Sequence, residues 1–148
     1  MTFQPKDFTP VPRGGAAVGF LDELGPLEAG AVRCLRAACE GPGCADWHRL
    51  AAHPASRDAL DAVSRLCTIS ARFGRRPLMR HSLSCACLGA DEACVAQIVV
   101  SALAGERDDA MLMASLLVRA DMAPALVAEA EMAGAALTRA QFSRDVMH

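Results

Sequence analysis

The chain has 148 residues, 53% of them apolar and 22% charged, with a formal net charge of −2. So apolar a composition excludes an intrinsically disordered or collagen-like chain and suits one compact domain. The near-neutral charge speaks against a general polyanion binder. Thirty alanines, 16 leucines and ten valines stand against two isoleucines, four threonines, five phenylalanines and no tyrosine. Helix formers thus dominate and strand formers are scarce, which predicts an all-α fold. The expected architecture is a single domain, a non-parallel bundle of five to six helices with a Pro/Gly-rich N-terminal arm. The alanine and arginine excess is also what a GC-rich, bacterial-like genome encodes, so an alanine-lined face carries no functional meaning by itself.

Residues 1–25 read as an extended arm ahead of a helical domain at 26–148. Pro5, Pro10 and Pro12 block regular structure, and Gly14-Gly15 loosens the backbone after them. Phe3, Phe8 and Phe20 are too apolar for a free tail, so the arm is expected to lie on the domain or on a partner. The first residues lack a basic stretch followed by an apolar one, so a cytoplasmic protein with reduced thiols is expected.

The first helix is predicted over 26–40, with Pro26 in its first turn and Gly41-Pro42-Gly43 ending it. Leu27, Ala31, Cys34, Leu35 and Ala38 form its apolar face, leaving Glu28, Arg33, Arg36 and Glu40 elsewhere. A short helix from Asp46 to about Ala52 carries Trp47 and Leu50. Pro54 opens a longer helix to Phe73, with Ala59, Leu60, Val63, Leu66, Cys67, Ser70 and Phe73 inward. Between Arg75-Arg76-Pro77 and Gly89, residues 78–88 read equally as loop or short helix. Asp91 is expected to cap a helix through Val95, Ile98, Val99, Ala102 and Leu103, ending at Gly105. Asp108 and Asp109 open the next, whose body Ala110 to Val118 is apolar on nearly every side. Such a helix is central in a bundle or sits at a subunit interface. This uncharged run is far below the ~18 residues of a membrane span. Asp121 is expected to cap the last helix, where Leu126, Ala130, Ala133 and Leu137 form a narrow small-residue stripe.

Chemistry is concentrated between Arg72 and Cys94. His81, Cys85, Cys87 and Cys94 supply three thiols and an imidazole, a recognised zinc combination. Cys94 would lie in the first turn of its helix, where the positive helix end favours the thiolate. The spacing departs from standard zinc modules, because only the C-x-C pair is tight. The competing reading makes these cysteines small apolar fillers. Cys34, Cys39 and Cys44 recur every five residues, but their side chains diverge. His48 and His53 lack the i, i+4 spacing of a helical metal pair.

Arg72, Arg75, Arg76 and Arg80 form a candidate anion site, since clustered guanidinium groups match phosphate oxygens. No aromatic platform is interleaved with them and no nucleic-acid module is recognisable, so nucleic acid is not the expected partner. Residues 62–90 hold five arginines and no acid, while 91–148 hold nine acids and four arginines. Pairing between these segments, within one chain or between subunits, is the favoured account. No nucleophile elbow, phosphate loop or dinucleotide fingerprint is present, and no catalytic residue is assigned. The expected protein is therefore a small cytoplasmic, non-enzymatic binding or regulatory protein that self-associates or takes a protein partner, without membrane contact. The alternatives are a zinc or thiol-redox protein using residues 81–94, and an anion binder using residues 72–80. No cofactor beyond zinc is suggested.

Overall fold

A computed structural model describes residues 13–146. The expectations for Phe3, Phe8 and the three prolines before Arg13 lie outside the described residues. Six helices pack against one another beside a small two-stranded sheet, and 74% of the structure is helical. The all-α prediction holds. Among the described residues, no helix is long and apolar enough to cross a membrane.

Helix α1 spans Pro26–Glu40, with proline in its first turn and Gly41 at φ 83° ending it. Only a residue without Cβ takes that left-handed conformation freely, so the Gly-Pro-Gly run stops the helix where expected. Helix α2 (Ala45–Ala51) is capped by the Cys44 thiol, which accepts from the Trp47 N–H at 3.3 Å. Helix α3 (Pro54–Phe73) buries Ala59, Leu60, Ala62, Val63, Leu66 and Ser70, close to the predicted stripe. Helices α4 (Ala90–Leu103), α5 (Arg107–Leu117) and α6 (Ala123–Val146) complete the bundle. Helix α6 packs most extensively on α3 and next on α4.

The ambiguous stretch after α3 is not a helix. Gly74 forms an isolated bridge with Val118, and residues 87–89 form strand β2 (Cys87–Gly89). Its partner is strand β1 (Ala17–Phe20), antiparallel, with Phe20 opposite Cys87 and Ala17 opposite Gly89. The described part of the arm therefore lies on the domain.

Three local expectations are corrected. Asp91 does not cap α4: Gly89 occupies that position, and Asp91 is the second helical residue, buried at 3% exposure. Asp121 does not cap α6 but sits in a 3-10 turn, its carboxylate paired with Arg119 at 2.6 Å. Arg36, expected off the apolar face, is nonetheless enclosed. It is 1% exposed, because α1 packs on α3 and also on α4.

Helix α5 is less uniformly enclosed than its composition implied. Ala110, Ala114 and Leu117 are buried, whereas Leu112 and Leu116 are 70% and 67% exposed. Alanine dominates the interior, supplying thirteen of the 27 buried apolar residues among those described.

Candidate functional site

The loop between α3 and α4 is held from beneath by one buried ion pair. Arg36 Nε donates to Glu92 Oε2 at 2.6 Å, and Nη2 donates to Oε1 at 3.0 Å. The same guanidinium donates to the carbonyls of Cys85 and Cys87, each at 2.7 Å. Glu92 Oε1 also accepts from the Gly89 N–H at 3.0 Å. A planar fork of donors suits this arrangement, which a lysine could not reproduce. Burial alone would raise the Glu92 pKa, but the Arg36 and Gly89 hydrogen bonds hold it below the usual carboxylate range. The pair thus ties α1, the C-x-C segment and the start of α4 together.

Asp91 makes a second anchor. Its carboxylate accepts from Arg76 Nη1 and Nη2 at 2.7 and 2.6 Å, and from the Met79 N–H at 2.8 Å. These bonds outweigh burial and lower its pKa. Gly14 lies directly on this pair; a Cβ there would collide with Arg76 Nη1 and Asp91 Oδ2. Ala90 N–H donates to Ala16 C=O at 2.9 Å, fastening the arm to the same helix start.

The four residues considered for a metal are divided by this framework. His81 Nδ1 and Cys85 Sγ are 3.8 Å apart. The neighbouring Cys85 thiol raises the Cys87 pKa. Cys94 instead turns to α5, its thiol donating to the Met113 carbonyl at 3.8 Å. Because α4 begins at Ala90, Cys94 lies beyond the first turn. Burial pushes its pKa up to about 11, the reverse of the expected helix-end effect. Among the described residues, no three His, Cys, Asp or Glu side chains are placed to hold a metal ion. His81 Nε2 is buried without a hydrogen-bond partner.

The four arginines considered for an anion are directed to separate places. Arg72 lies over the Phe73 ring at 5.5 Å, and Arg75 Nε donates to the Ser115 carbonyl at 2.6 Å. Arg76 is committed to Asp91, and Arg80 pairs with Glu40 at 2.8 Å. Pairing of the basic segment with the acidic last third is realised in Arg76–Asp91 and in Arg65–Glu129, at 2.9 Å. Arg80 departs from it, its carboxylate coming from α1.

One pair escapes sequence reasoning altogether. Cys39, at the end of α1, and Cys67, within α3, have their sulfurs 3.9 Å apart. The divergence of Cys39 from Cys34 is correct, and it is what turns Cys39 toward α3. No local spacing signals a contact between residues 28 positions apart on separate helices.

No family model, curated protein or solved structure matches the chain.

Proposed function

We propose that this is a small cytoplasmic binding or regulatory protein, non-enzymatic, that works as a homodimer joined through the outer face of α5. The supporting observation is the exposed pair Leu112 and Leu116, one helical turn apart, between ends of opposite charge. At the N-terminal end lie Glu106, Asp108 and Asp109 with Arg107. At the C-terminal end, Arg72 and Arg119 flank the Phe73 ring, and Arg75 reaches the Ser115 carbonyl. Asp121 is the one acid paired there among the described residues. Among the described residues, neither Arg72 nor Arg75 has a carboxylate partner.

A two-fold axis across α5 sets two copies of this helix antiparallel. The leucine pairs then cover one another, and the acidic end of each copy meets the basic end of the other. That is the intersubunit form of the charge pairing expected between the basic segment and the acidic last third. In the monomer the leucines are surface groups, so their replacement costs little stability.

Light scattering over a range of concentrations is expected to give twice the monomer mass. Leu112→Glu/Leu116→Glu is expected to give the monomer mass with unchanged helical circular dichroism. Arg75→Glu should weaken the dimer, and added salt should weaken the variant less than the wild type because it screens the new repulsion. A wild-type protein that stays monomeric at the highest accessible concentration overturns the proposal, as does a double variant that remains dimeric.

A further inference from the structure

We propose that Cys39 and Cys67 are a reversible dithiol switch, oxidised by hydrogen peroxide to a disulfide that staples the end of α1 to α3. Three features of their surroundings support this. The sulfurs are 3.9 Å apart, so forming a bond of ~2.05 Å requires them to close by roughly 1.9 Å. Cys39 is the next-to-last residue of α1, two before Gly41, where the helix already ends. A helix terminus can make that adjustment, whereas Cys67, inside the 20-residue α3, stays in place.

Access is the second feature. Cys39 is exposed, and both cysteines line a surface pocket of about 500 Å³ together with Ser70, Gly74, Arg76 and Leu78. Ser70 is 3% exposed and its hydroxyl lacks a hydrogen-bond partner. It lies one turn along α3 from Cys67 and lines the same pocket, a polar group without a partner beside the two thiols.

The third feature is the division of labour between the two sulfurs. The hydrogen bond with the Cys67 thiol and the positive charge of Arg80 outweigh burial and the Glu40 carboxylate, and lower the Cys39 pKa to about 7. Cys67 is pushed up, first by that same hydrogen bond and then by burial. Cys39 is therefore the thiolate and Cys67 the resolving thiol. Elsewhere burial raises Cys34 to about 12, which leaves it a packing residue.

Oxidation proceeds in two displacements. The Cys39 thiolate attacks one oxygen of hydrogen peroxide; an S–O bond forms, the O–O bond breaks, and hydroxide leaves to take a proton as water. Cys67 then loses its proton and attacks the Cys39 sulfenic sulfur. The S–S bond forms, the S–O bond breaks, and the departing hydroxide is protonated to a second water. Two thiols give up two electrons, and one peroxide becomes two waters. An external dithiol resets the pair by exchange.

The test is to treat the reduced full-length chain with one equivalent of hydrogen peroxide, alkylate it, and map non-reduced tryptic peptides by mass spectrometry. The expected product links peptide 37–49 to peptide 66–72, and dithiothreitol removes the link. Cys44 shares the first peptide, so the mapping is repeated with Cys44→Ser, where the link should persist. In Cys67→Ser, dimedone is expected to trap Cys39 sulfenic acid at least tenfold more than in wild type. Arg80→Ala should slow Cys39 oxidation several-fold while circular dichroism is unchanged. Oxidation confined to other cysteines, with Cys39 and Cys67 still alkylated, overturns the proposal. So does over-oxidation of Cys39 in the wild type without a link to Cys67. The wild-type mapping requires no variant to fold.

Discussion

Arg36→Met is expected to lower the stability of the fold by about 3–5 kcal/mol, the range for breaking a buried ion pair by removing one partner. Methionine fills the volume but leaves Glu92, which is 0% exposed, as an uncompensated buried carboxylate. It also strips a donor from the Cys85 and Cys87 carbonyls, so the loop loses its floor as well as its counter-charge. Much of the cost belongs to the stranded carboxylate rather than to a lost attraction. Arg36→Met/Glu92→Leu should therefore be more stable than Arg36→Met alone, although Gly89 N–H then loses its acceptor. Urea unfolding of the two variants and the wild type separates these contributions. A single variant within about 1 kcal/mol of wild type would show that the pair does not support the loop.

The same pair and its neighbour set the acid limit of the fold. Glu92 and Asp91 both have lowered pKa values in the folded chain. Unfolding releases each carboxylate to its ordinary, higher value, so in acid the unfolded chain binds more protons than the folded one. The stabilisation is fully present above the ordinary carboxylate range and is lost as pH falls through the folded values. Urea midpoints are expected to fall below about pH 4, and Glu92→Gln should flatten that dependence while lowering stability near neutrality. A midpoint that rises on acidification would reverse the sign of this linkage.

How much of this was legible depended on whether the signal was local. Pro26, Gly41, Pro54 and Gly74 punctuate the chain by their own covalent limits, and α1 and α3 begin and end where those residues place them. The strands left no comparable mark. Strands β1 and β2 are four and three residues long, with a glycine in each, and a run that short cannot display a period of two. Arg36 misled for a different reason. Helical periodicity sorts faces by polarity, and α1 has neighbours on more than one side, so a charged residue ended up enclosed with its own counter-ion. Asp91 resembled a cap because acids at helix starts commonly are; here it binds Arg76 and the chain at Met79 instead. The candidate metal set is divided in the structure, and α4 starts two residues earlier than expected, with its cap at Gly89 and not Asp91. Cys94 then falls beyond the first turn, and its thiol meets the Met113 carbonyl on α5.

Leu126→Ala is expected to cost between 2 and 5 kcal/mol, toward the upper end of the ~2–5 kcal/mol range for such truncations. The reason lies in the alanine excess. Alanines at 123, 130, 133 and 136 bring α6 close to its neighbours. At Gly134 a Cβ would stand 3.2 Å from Leu103 Cβ and Val99 Cγ1. Where helix backbones are already this near, a void closes only as far as partly buried side chains at the margin can move inward. Leu126 is 0% exposed, and the methionines that pack on this core, Met111, Met113 and Met122, are only partly buried at its margin. The cavity therefore persists and adds its full penalty to the lost transfer energy. Leu126→Met, which nearly conserves volume, should cost under about 1.5 kcal/mol. Leu112→Ala, at an exposed site, should stay within about 0.5 kcal/mol of wild type when measured on the monomer. Urea unfolding of the three variants tests the ordering. A Leu126→Ala loss no larger than that of Leu126→Met would mean that the helices do close over the gap, and that this alanine-rich core is softer than its spacing implies.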